Sequence, residues 1–388
     1  MRPGVASRRI ASACVLGATA LLSGAGGALL GLCGPFTDTA ADAFCPFVLE
    51  IFYLGITTGT TATTYSPDGN VTRLQMAAFL SRSVDRSLAR GGRRAALNQF
   101  WTPQNGGVLG IAPLDFIPTW IESDGTDVWV PATDGTEVWR IRGSDLKFVE
   151  NWLGVANARG IVIAAGKVFV SGYATPGALY RIDPTLPAGL ADTVATNLGS
   201  GPAFLTFDGG RVWSANNGGS VSIVTPGTSL PWTVTTVTVG GTTGVLFDGS
   251  NVWATDANGG KLLKFDAAGA VLQTVTVGGG PQIPVFDGAN IWVPNGGSGS
   301  ISVVRASTGA VLATLTGNGL AIPESAAFDG ERILVTNPTT NSVSLWLAAG
   351  LIPIGTFSTG ANTMPWGSCS DGTRFWLAFN QSPSLARF

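Results

Sequence analysis

Histidine is absent from all 388 residues of this sequence. Histidine is the usual general base near neutral pH, a frequent zinc ligand, and the partner of serine or cysteine in nucleophilic catalysis. Its absence excludes Ser-His-Asp and Cys-His catalysis, His-ligated zinc, and haem attachment through a Cys-x-x-Cys-His motif. Pairs of carboxylates could still supply acid–base chemistry, and we expect neither a metal nor a cofactor.

Charge is also scarce. Charged residues make up 12% of the chain, and 22 Lys and Arg against 24 Asp and Glu leave a net charge of −2. No Lys/Arg stripe interleaved with aromatic residues occurs, so the sequence lacks the basic footprint of a nucleic-acid-binding protein. We therefore expect no nucleic-acid partner.

A unit of about 40 residues occurs seven times, and each copy joins two apolar runs through a small two-residue turn. The turns are Asp124-Gly125, Ala165-Gly166, Asp208-Gly209, Asp248-Gly249, Asp287-Gly288, Asp329-Gly330 and Asp371-Gly372. A large apolar residue follows each turn near the start of the second run: Trp129, Phe169, Trp213, Trp253, Trp292, Leu334 and Trp376. This period with all-strand content predicts an all-β fold, a seven-bladed β-propeller.

Each repeat contains signals for four short strands. In one repeat the runs 282–286, 290–293, 300–304 and 311–316 are rich in Val, Ile and Thr and are separated by glycine-containing turns. Asp-Gly predicts a type I′ hairpin turn, in which both central residues have positive φ. We interpret these aspartates as turn residues; the alternative is that they bind a metal or take part in catalysis. The large residues are expected to fill the gaps between blades, with exposed stacking platforms as the alternative.

The strand count also predicts how the ring closes. The seventh repeat supplies three strands, the last at 384–388, whereas the first repeat has a surplus segment, 106–112, before its own inner strand at 116–123. A missing fourth strand would leave an unpaired edge in the last blade. We therefore expect 106–112 to pair as the outermost strand beside 384–388.

The repeats resemble YVTN-type and streptogramin-lyase-like propellers. The resemblance rests on VWSAN at 212–216 with SVSIV at 220–224, and on IWVPN at 291–295 with SISVV at 300–304, and it covers about residues 105–388. Streptogramin lyases use histidine, an acidic residue and a metal, so the absence of histidine argues against that chemistry here. An extracellular lyase- or glycan-acting enzyme that uses carboxylates is the alternative, and Asp256 and Glu324 are its candidate acids.

The N-terminus has the pattern of an export signal. Arg2, Arg8 and Arg9 precede a charge-free stretch at 10–37 that contains small-residue cleavage patterns near Ala25 and Ala28. We expect a signal peptide at 1–28 and no transmembrane segment after its cleavage; an uncleaved anchor is the alternative.

Three cysteines remain after such a cleavage. In an oxidising compartment we expect Cys33 and Cys45 to form a disulfide, which would stabilise a small module by about 2–4 kcal/mol. Cys369 lies in an apolar strand and is expected to be a small core residue.

The segment before the propeller reads as helical. Residues 44–54 are apolar nearly all round and end at Gly55, which suits the C-terminal end of a short buried helix. A capping box between Thr72 and Gln75 predicts the start of a second helix, which we expect to run to about residue 88. Val71 and Met76 flank the capping box and can form a hydrophobic staple.

This segment resembles an S-layer homology module. The resemblance rests on FTD at 36–38, LGITTG at 54–59, YSPDG at 65–69 and VTRLQMA at 71–77. It implies attachment of an exported protein to cell-wall polysaccharide, with Thr72 and Arg73 at the ligand groove and Arg73 pairing with an acid group of the glycan. The alternative is a small disulfide-stapled cap at 33–90 whose capping box only starts a helix.

The predicted organisation is a signal peptide at 1–28, a helical module at 33–89, a linker at 90–104 and a propeller at 105–388. The predicted function is a cell-surface protein whose propeller is a non-enzymatic binding or scaffolding surface for an unknown protein or glycan. An acid cluster converging at one mouth of the propeller would favour the enzyme instead; a mouth lined by Gly, Thr and Asn would disfavour it.

Overall fold

The computed structural model describes residues 35–39, 45, 48, 51, 52, 56–89 and 107–388. The chain divides into two compact units, Met1–Arg90 and Gly91–Phe388. The predicted signal peptide, the predicted linker and Cys33 lie outside the described residues. The signal peptide and the Cys33–Cys45 bridge therefore stay predictions.

The N-terminal unit contains one helix with described bounds, α1 (Arg73–Ala89). The predicted capping box is present at its start. The Thr72 amide donates to Gln75 Oε1 at 2.8 Å, and the Gln75 amide donates to Thr72 Oγ1 at 3.2 Å. These two bonds satisfy amides that a helix start otherwise leaves without partners.

A small apolar core accompanies this helix. Phe36 and Val48 are buried, and Phe52 and Tyr65 pack against them. Val48 and Phe52 lie in helical turns, in agreement with the helix predicted at 44–54. Within the described part of the chain, no helix is long and apolar enough to cross a bilayer.

The propeller consists of seven four-stranded antiparallel sheets. In blades 1 to 3 the strands are β2 (Glu122–Ser123), β3 (Asp127–Pro131), β4 (Glu137–Arg142), β5 (Phe148–Leu153), β6 (Ala158–Ala164), β7 (Lys167–Gly172), β8 (Gly177–Ile182), β9 (Asp192–Leu198), β10 (Pro202–Phe207), β11 (Val212–Asn216), β12 (Ser220–Thr225) and β13 (Thr233–Thr238). In blades 4 to 6 they are β14 (Thr242–Phe247), β15 (Val252–Asp256), β16 (Lys261–Phe265), β17 (Val271–Thr276), β18 (Val285–Phe286), β19 (Asn290–Asn295), β20 (Ser300–Arg305), β21 (Val311–Leu315), β22 (Ala326–Phe328), β23 (Arg332–Asn337), β24 (Ser342–Leu347) and β25 (Ile352–Ser358).

Blade 7 closes the ring as the sequence predicts. It is built from β26 (Pro365–Ser370), β27 (Phe375–Phe379), β28 (Ser384–Arg387) and, outermost, β1 (Gly110–Pro113). Strand β1 pairs antiparallel with β28, so that Gly110 lies opposite Arg387 and Pro113 opposite Ser384. The first part of the propeller sequence therefore completes the last blade.

The hairpin between the first and second strands differs from the prediction in six of the seven blades. The predicted type I′ turn needs positive φ at both Asp and Gly, but only the glycine has it, as at Gly209 with φ 95°. The two-residue loop is Gly plus the next residue, with a glycine of positive φ at the first central position, as in type II′ turns. In blade 2, where the turn is Ala165-Gly166, both residues have positive φ, as in a type I′ turn.

Each turn aspartate lies just before its loop and binds the loop with its side chain. In blade 4, Asp248 Oδ1 accepts the amides of Ser250 and Asn251, at 2.8 and 2.7 Å. Its other oxygen, Oδ2, accepts the indole N–H of Trp253 at 2.7 Å. The same indole bond forms in blades 1, 3, 5 and 7, at 3.0, 2.7, 2.8 and 3.0 Å.

The large residues after these turns fill the gaps between blades, as predicted. The five tryptophans are fully buried. Each belongs to a cluster that reaches the next blade: Trp213 of blade 3 packs with Val245 and Val252 of blade 4. Trp376 of blade 7 packs with Ile121 of blade 1, so the apolar core continues around the closed ring.

Apolar side chains of three blades meet across the central channel at the level of the innermost strands; we name Trp120, Phe204 and Ile283 the apolar plug. Trp120 of blade 1 contacts Phe204 of blade 3, with ring centroids 5.4 Å apart, and shares a cluster with Ile283 of blade 5. These blades are not neighbours, so the contacts cross the channel. Gly367 allows the segment of Thr119 and Trp120 to approach closely, because a Cβ at this position would collide with the Thr119 carbonyl oxygen and the Trp120 backbone.

Cys369 lies on β26 as a buried free thiol, in agreement with the prediction of a core residue. Burial raises the pKa of this thiol well above its ordinary value, and the nearby carboxylates of Glu122 and Asp371 act in the same direction. The thiol is therefore not activated as a nucleophile.

We predict that the indole–carboxylate bond contributes to stability beyond the turn itself. Asp248→Asn keeps an oxygen for the loop amides but leaves the buried indole N–H of Trp253 without an acceptor, which should cost about 1–3 kcal/mol. Urea unfolding of the single variants and of the double variant with Trp253→Phe measures this. The Asp248→Asn cost should shrink in the Trp253→Phe background; an equal cost in both backgrounds would show that the bond adds nothing.

We also predict that β1 and β28 are each required for a closed ring. Compared with a protein lacking residues 1–90, which should unfold cooperatively, proteins lacking 1–113 or 383–388 should aggregate or lose cooperativity, because an edge strand becomes unpaired. Circular dichroism melts and size-exclusion chromatography report both effects. A monomeric, cooperatively unfolding protein without either strand would contradict this closure.

Candidate functional site

Thr72 and Arg73, the predicted wall-ligand residues, lie at the start of α1 and are exposed. The Thr72 hydroxyl is engaged in the cap: it donates to Gln75 Oε1 at 3.0 Å and accepts the Gln75 amide. Among the described residues, none hydrogen-bonds to the Arg73 guanidinium. The Arg73 guanidinium is therefore available to bind an acidic ligand, which is the role that the resemblance implies.

The side chains of Asp38 and Arg82 help to hold the loop that leads to this helix. The Asp38 carboxylate accepts the amides of Tyr65 and Ser66, with the shortest bond at 2.7 Å to Ser66. These amide hydrogen bonds lower the pKa of the Asp38 carboxyl. Arg82 Nη1 donates to the Ile56 carbonyl at 3.1 Å, a contact that sequence reasoning missed.

In the propeller, the candidate site is the mouth of the channel at the end where the inner strands begin. Because the first and second strands of a blade are antiparallel, the start of the first lies beside the end of the second. The mouth is therefore formed by the loops that enter the inner strands and by the hairpins between second and third strands. Its floor is the apolar plug of Trp120, Phe204 and Ile283.

One depression in the mouth, of about 290 Å³, spans blades 7, 1 and 2. We name it the arginine depression; its lining residues are Ile117, Thr119, Thr133, Asp134, Arg159, Trp366 and Asn380. Thr133 Oγ1 donates to Thr119 Oγ1 at 2.8 Å. Arg159 and Asp134 form an ion pair with a 3.4 Å separation between Nη1 and Oδ1.

A second depression, of about 430 Å³, lies beside it at blades 2 and 3. We name it the tyrosine depression; it is lined by Tyr173, Ala174, Thr175, Ser200, Gly201, Asn217 and Gly218. Asn217 Nδ2 lies 3.4 Å from the Tyr173 hydroxyl. The Arg159 guanidinium lies over the Tyr173 ring, 4.7 Å from its centroid, so this stacked pair connects the two depressions.

Buried Asn and Ser side chains fix the hairpins of the mouth. Asn216 Nδ2 donates to Ser220 Oγ and Ser222 Oγ, at 3.0 and 2.9 Å. The Gly199 amide, in the loop between blades 2 and 3, donates to the same Ser222 hydroxyl. Asn295 repeats this arrangement with Ser300 and Ser302. The WxxN and SxS patterns of these repeats are therefore explained as supports of the mouth loops.

Asp256, one of the two candidate acids, occupies the same position in blade 4 and is buried. Its Oδ1 accepts the amides of Gly241 and Gly259, each at 3.0 Å. Its carboxylate thus holds two loops directly, whereas Asn216 and Asn295 bond to serines of the neighbouring strand. This engagement favours a structural role over acid–base work.

Glu324, the other candidate acid, lies just before β22 near the level of the mouth. Burial raises the pKa of its carboxyl to about 7, and no described residue hydrogen-bonds to that carboxyl. Glu122 on β2 behaves similarly, because burial raises its pKa to about 7 against a weak opposing bond from the Ser123 amide. In the part of the chain that the structure describes, no three His, Cys, Asp or Glu residues form a group able to hold a metal.

The mouth residues Arg159, Tyr173 and Trp366 were missed by sequence reasoning. A signal was present: six positions before the first turn residue, five blades carry proline, whereas blade 2 carries Arg159. Trp366 likewise occupies a position where other blades have Thr, Gly, Ala, Gln or Glu. These departures from the repeat mark the mouth more clearly than the repeated residues do.

Comparison with known proteins agrees with both units. Residues 35–77 match the S-layer homology domain family. No curated protein sequence matches the chain significantly. Among solved structures, the chain is similar to a catalytically inactive virginiamycin B lyase from Staphylococcus aureus, a histidine-to-alanine variant with quinupristin, at 17% identity and a TM-score of 0.60 over 72% of this chain and 97% of that chain.

Other solved structures share this fold. A streptogramin B lyase has 13% identity and a TM-score of 0.59, over 72% of this chain and 96% of that chain. A chain of the mitotic checkpoint complex has 14% identity and a TM-score of 0.62, over 74% of this chain and 96% of that chain. At these identities the likeness shows the propeller fold alone, since one fold hosts many functions.

We predict a pH dependence of stability that Glu324 causes. Its pKa is raised from 4.5 to about 7 in the folded protein, so the folded state holds the proton more tightly than the unfolded state. The contribution is therefore full below about pH 4.5 and is lost as the pH rises through about 7, by on the order of 1–3 kcal/mol.

Urea unfolding of wild type and Glu324→Gln between pH 4.5 and 8 measures this contribution, with Asp68→Asn, at an exposed loop residue, as control. The difference in unfolding free energy between wild type and Glu324→Gln should fall across this range. The difference for Asp68→Asn should change less. Parallel curves for wild type and Glu324→Gln would contradict the assignment.

Proposed function

We propose that the chain is an exported cell-envelope protein, tethered to cell-wall polysaccharide by its N-terminal module, whose propeller is a non-enzymatic binding or scaffolding surface. The main support for attachment to the cell wall is the S-layer homology match at residues 35–77, because modules of this family bind cell-wall polysaccharides. The exposed Thr72-Arg73 pair at the start of α1 supports it. A cell-surface location follows from this proposal.

The non-enzymatic role of the propeller is supported by what the mouth contains. The structurally similar lyase is catalytically inactive as a histidine-to-alanine variant, and this sequence has no histidine. Asp256 is engaged with loop amides and does not add a second acid to Glu324. The two depressions are lined chiefly by Thr, Ser, Asn, Gly and aromatic residues, which suits binding by hydrogen bonds and stacking.

A carboxylate-only enzyme of the lyase- or glycan-acting kind is the second candidate. Glu324 favours it, since a carboxyl with a pKa of about 7 suits a general acid or base at neutral pH. Glu324→Gln should abolish such an activity on polysaccharide lyase and hydrolase substrates. Wild-type turnover that this variant removes would establish the enzyme in place of the scaffold.

We predict that Arg73 is the main determinant of wall binding. The full chain without residues 1–28 should sediment with purified cell-wall polysaccharide. Arg73→Ala should weaken this binding by about tenfold or more, because it removes charge-assisted hydrogen bonds to an acidic group. Arg73→Lys should be intermediate, since lysine keeps the charge but not the planar fork.

Arg86→Ala, which changes the net charge equally within the same helix, is the matched control and should bind nearly as wild type does. Equal losses for Arg73→Ala and Arg86→Ala would indicate bulk charge in place of a site. If the wild-type chain does not sediment with the polysaccharide, the alternative hypothesis is favoured, in which residues 33–90 form a small cap that does not bind the wall.

A further inference from the structure

We infer that the arginine depression in the propeller mouth binds a carboxylate-bearing sugar unit of a polysaccharide, with Arg159 as the partner of the carboxylate. This inference rests on the proposed function, since it names the ligand of the binding surface. It concerns a site in the propeller, separate in sequence from the module that carries Thr72 and Arg73. We base it on nitrogen atoms of the Arg159 guanidinium that have no hydrogen-bond acceptor among the described residues.

Arg159 has a donor that the described protein leaves unused. Its Nε is buried, and no described residue accepts a hydrogen bond from it. Nη2 also has no acceptor among the described residues and, unlike Nε, is not buried, so an incoming acceptor can reach it. The present counter-ion, Asp134, contacts Nη1 alone at 3.4 Å, and its side chain is 67% exposed. The guanidinium therefore retains the capacity for a second, bidentate acceptor.

The guanidinium is also held in place before any ligand arrives. The Arg159 side chain is 24% exposed and stacks on the Tyr173 ring at 4.7 Å. Tyr173 is itself within reach of Asn217. A stacked, half-buried arginine loses less side-chain freedom on binding than an extended surface arginine, so the fork is preorganised for a planar acid group.

The net charge of the depression favours a singly charged ligand. One arginine faces one exposed aspartate, and no other ionisable side chain lines the depression. A doubly charged phosphate would meet repulsion from Asp134 with a single cation to balance it. A carboxylate has the lower charge and the geometry that matches the guanidinium fork.

The remaining lining favours a sugar as the carrier of that carboxylate. Trp366 offers an aromatic ring, and Thr133 and Asn380 offer a hydroxyl and an amide. This combination suits the apolar face and the hydroxyl groups of a pyranose. A volume of about 290 Å³ is at the lower limit of ligand pockets and suits one ring, while the adjoining uncharged tyrosine depression can accept the next unit.

The test is isothermal titration calorimetry with trigalacturonate, a carboxylated oligosaccharide, and with its fully methyl-esterified form, which keeps the rings but lacks the charges. The protein is the full chain without residues 1–28, carrying Arg73→Ala so that the module does not contribute. We expect binding of the acid and at least tenfold weaker binding of the ester. Binding should also weaken with added salt.

Four variants of this protein distinguish the site from bulk charge. Arg159→Ala should weaken binding at least tenfold, and Arg159→Lys should do so to a smaller extent. Asp134→Asn should tighten binding several-fold, because it removes the competing carboxylate, and this gain cannot result from misfolding. Arg142→Ala, at a half-exposed arginine of β4, is the matched control and should leave binding unchanged.

Three results would overturn the inference. These are equal binding of acid and ester, equal effects of Arg159→Ala and Arg142→Ala, and no binding by the Arg73→Ala protein at millimolar ligand. The last result would leave the proposed tether intact if the wild-type chain still sediments with the wall polymer through Arg73. Failure of this inference is thus distinguishable from failure of the proposed function.

Discussion

The hydrogen bond from a buried indole to the aspartate of the preceding turn recurs in five of the seven blades and links the hairpin to the packing between blades. One carboxylate closes the hairpin through two amides and fixes the tryptophan that packs on the next blade. Two blades form the same four-stranded sheet without this bond. Blade 2 lacks both partners, having Ala165 and Phe169, whereas in blade 6 Leu334 replaces the tryptophan and Asp329 Oδ2 instead accepts Arg332 Nε at 2.9 Å.

The sequence predicted the seven blades, the closing strand and the inter-blade role of the tryptophans, because these follow from local patterns that recur. The turn type was wrong because Asp-Gly alone does not show which residues form the loop; that depends on the side-chain bonds of the aspartate. The apolar plug could not be predicted, since Trp120 and Phe204 meet only after the ring has closed.

The site was less predictable than the fold for a related reason. A repeat preserves the residues that every blade needs, so its most regular polar positions, such as Asn216 and Asp256, support loops. Arg159, Tyr173 and Trp366 are not repeated from blade to blade, so the repeat pattern does not predict them. The capping box at Thr72 was predictable because its partner, Gln75, is three residues away.

The pairing of β1 with β28 makes the two ends of the propeller sequence neighbours, which bears on the order of events during synthesis. Gly110 and Arg387 meet across nearly the whole domain, and contacts of such sequence separation form slowly. A chain that emerges from its N-terminus can build the intermediate blades early, but its ring stays open until residues 384–387 arrive. The rigidity of the closed ring is thereby acquired only when β28 is available to pair with β1.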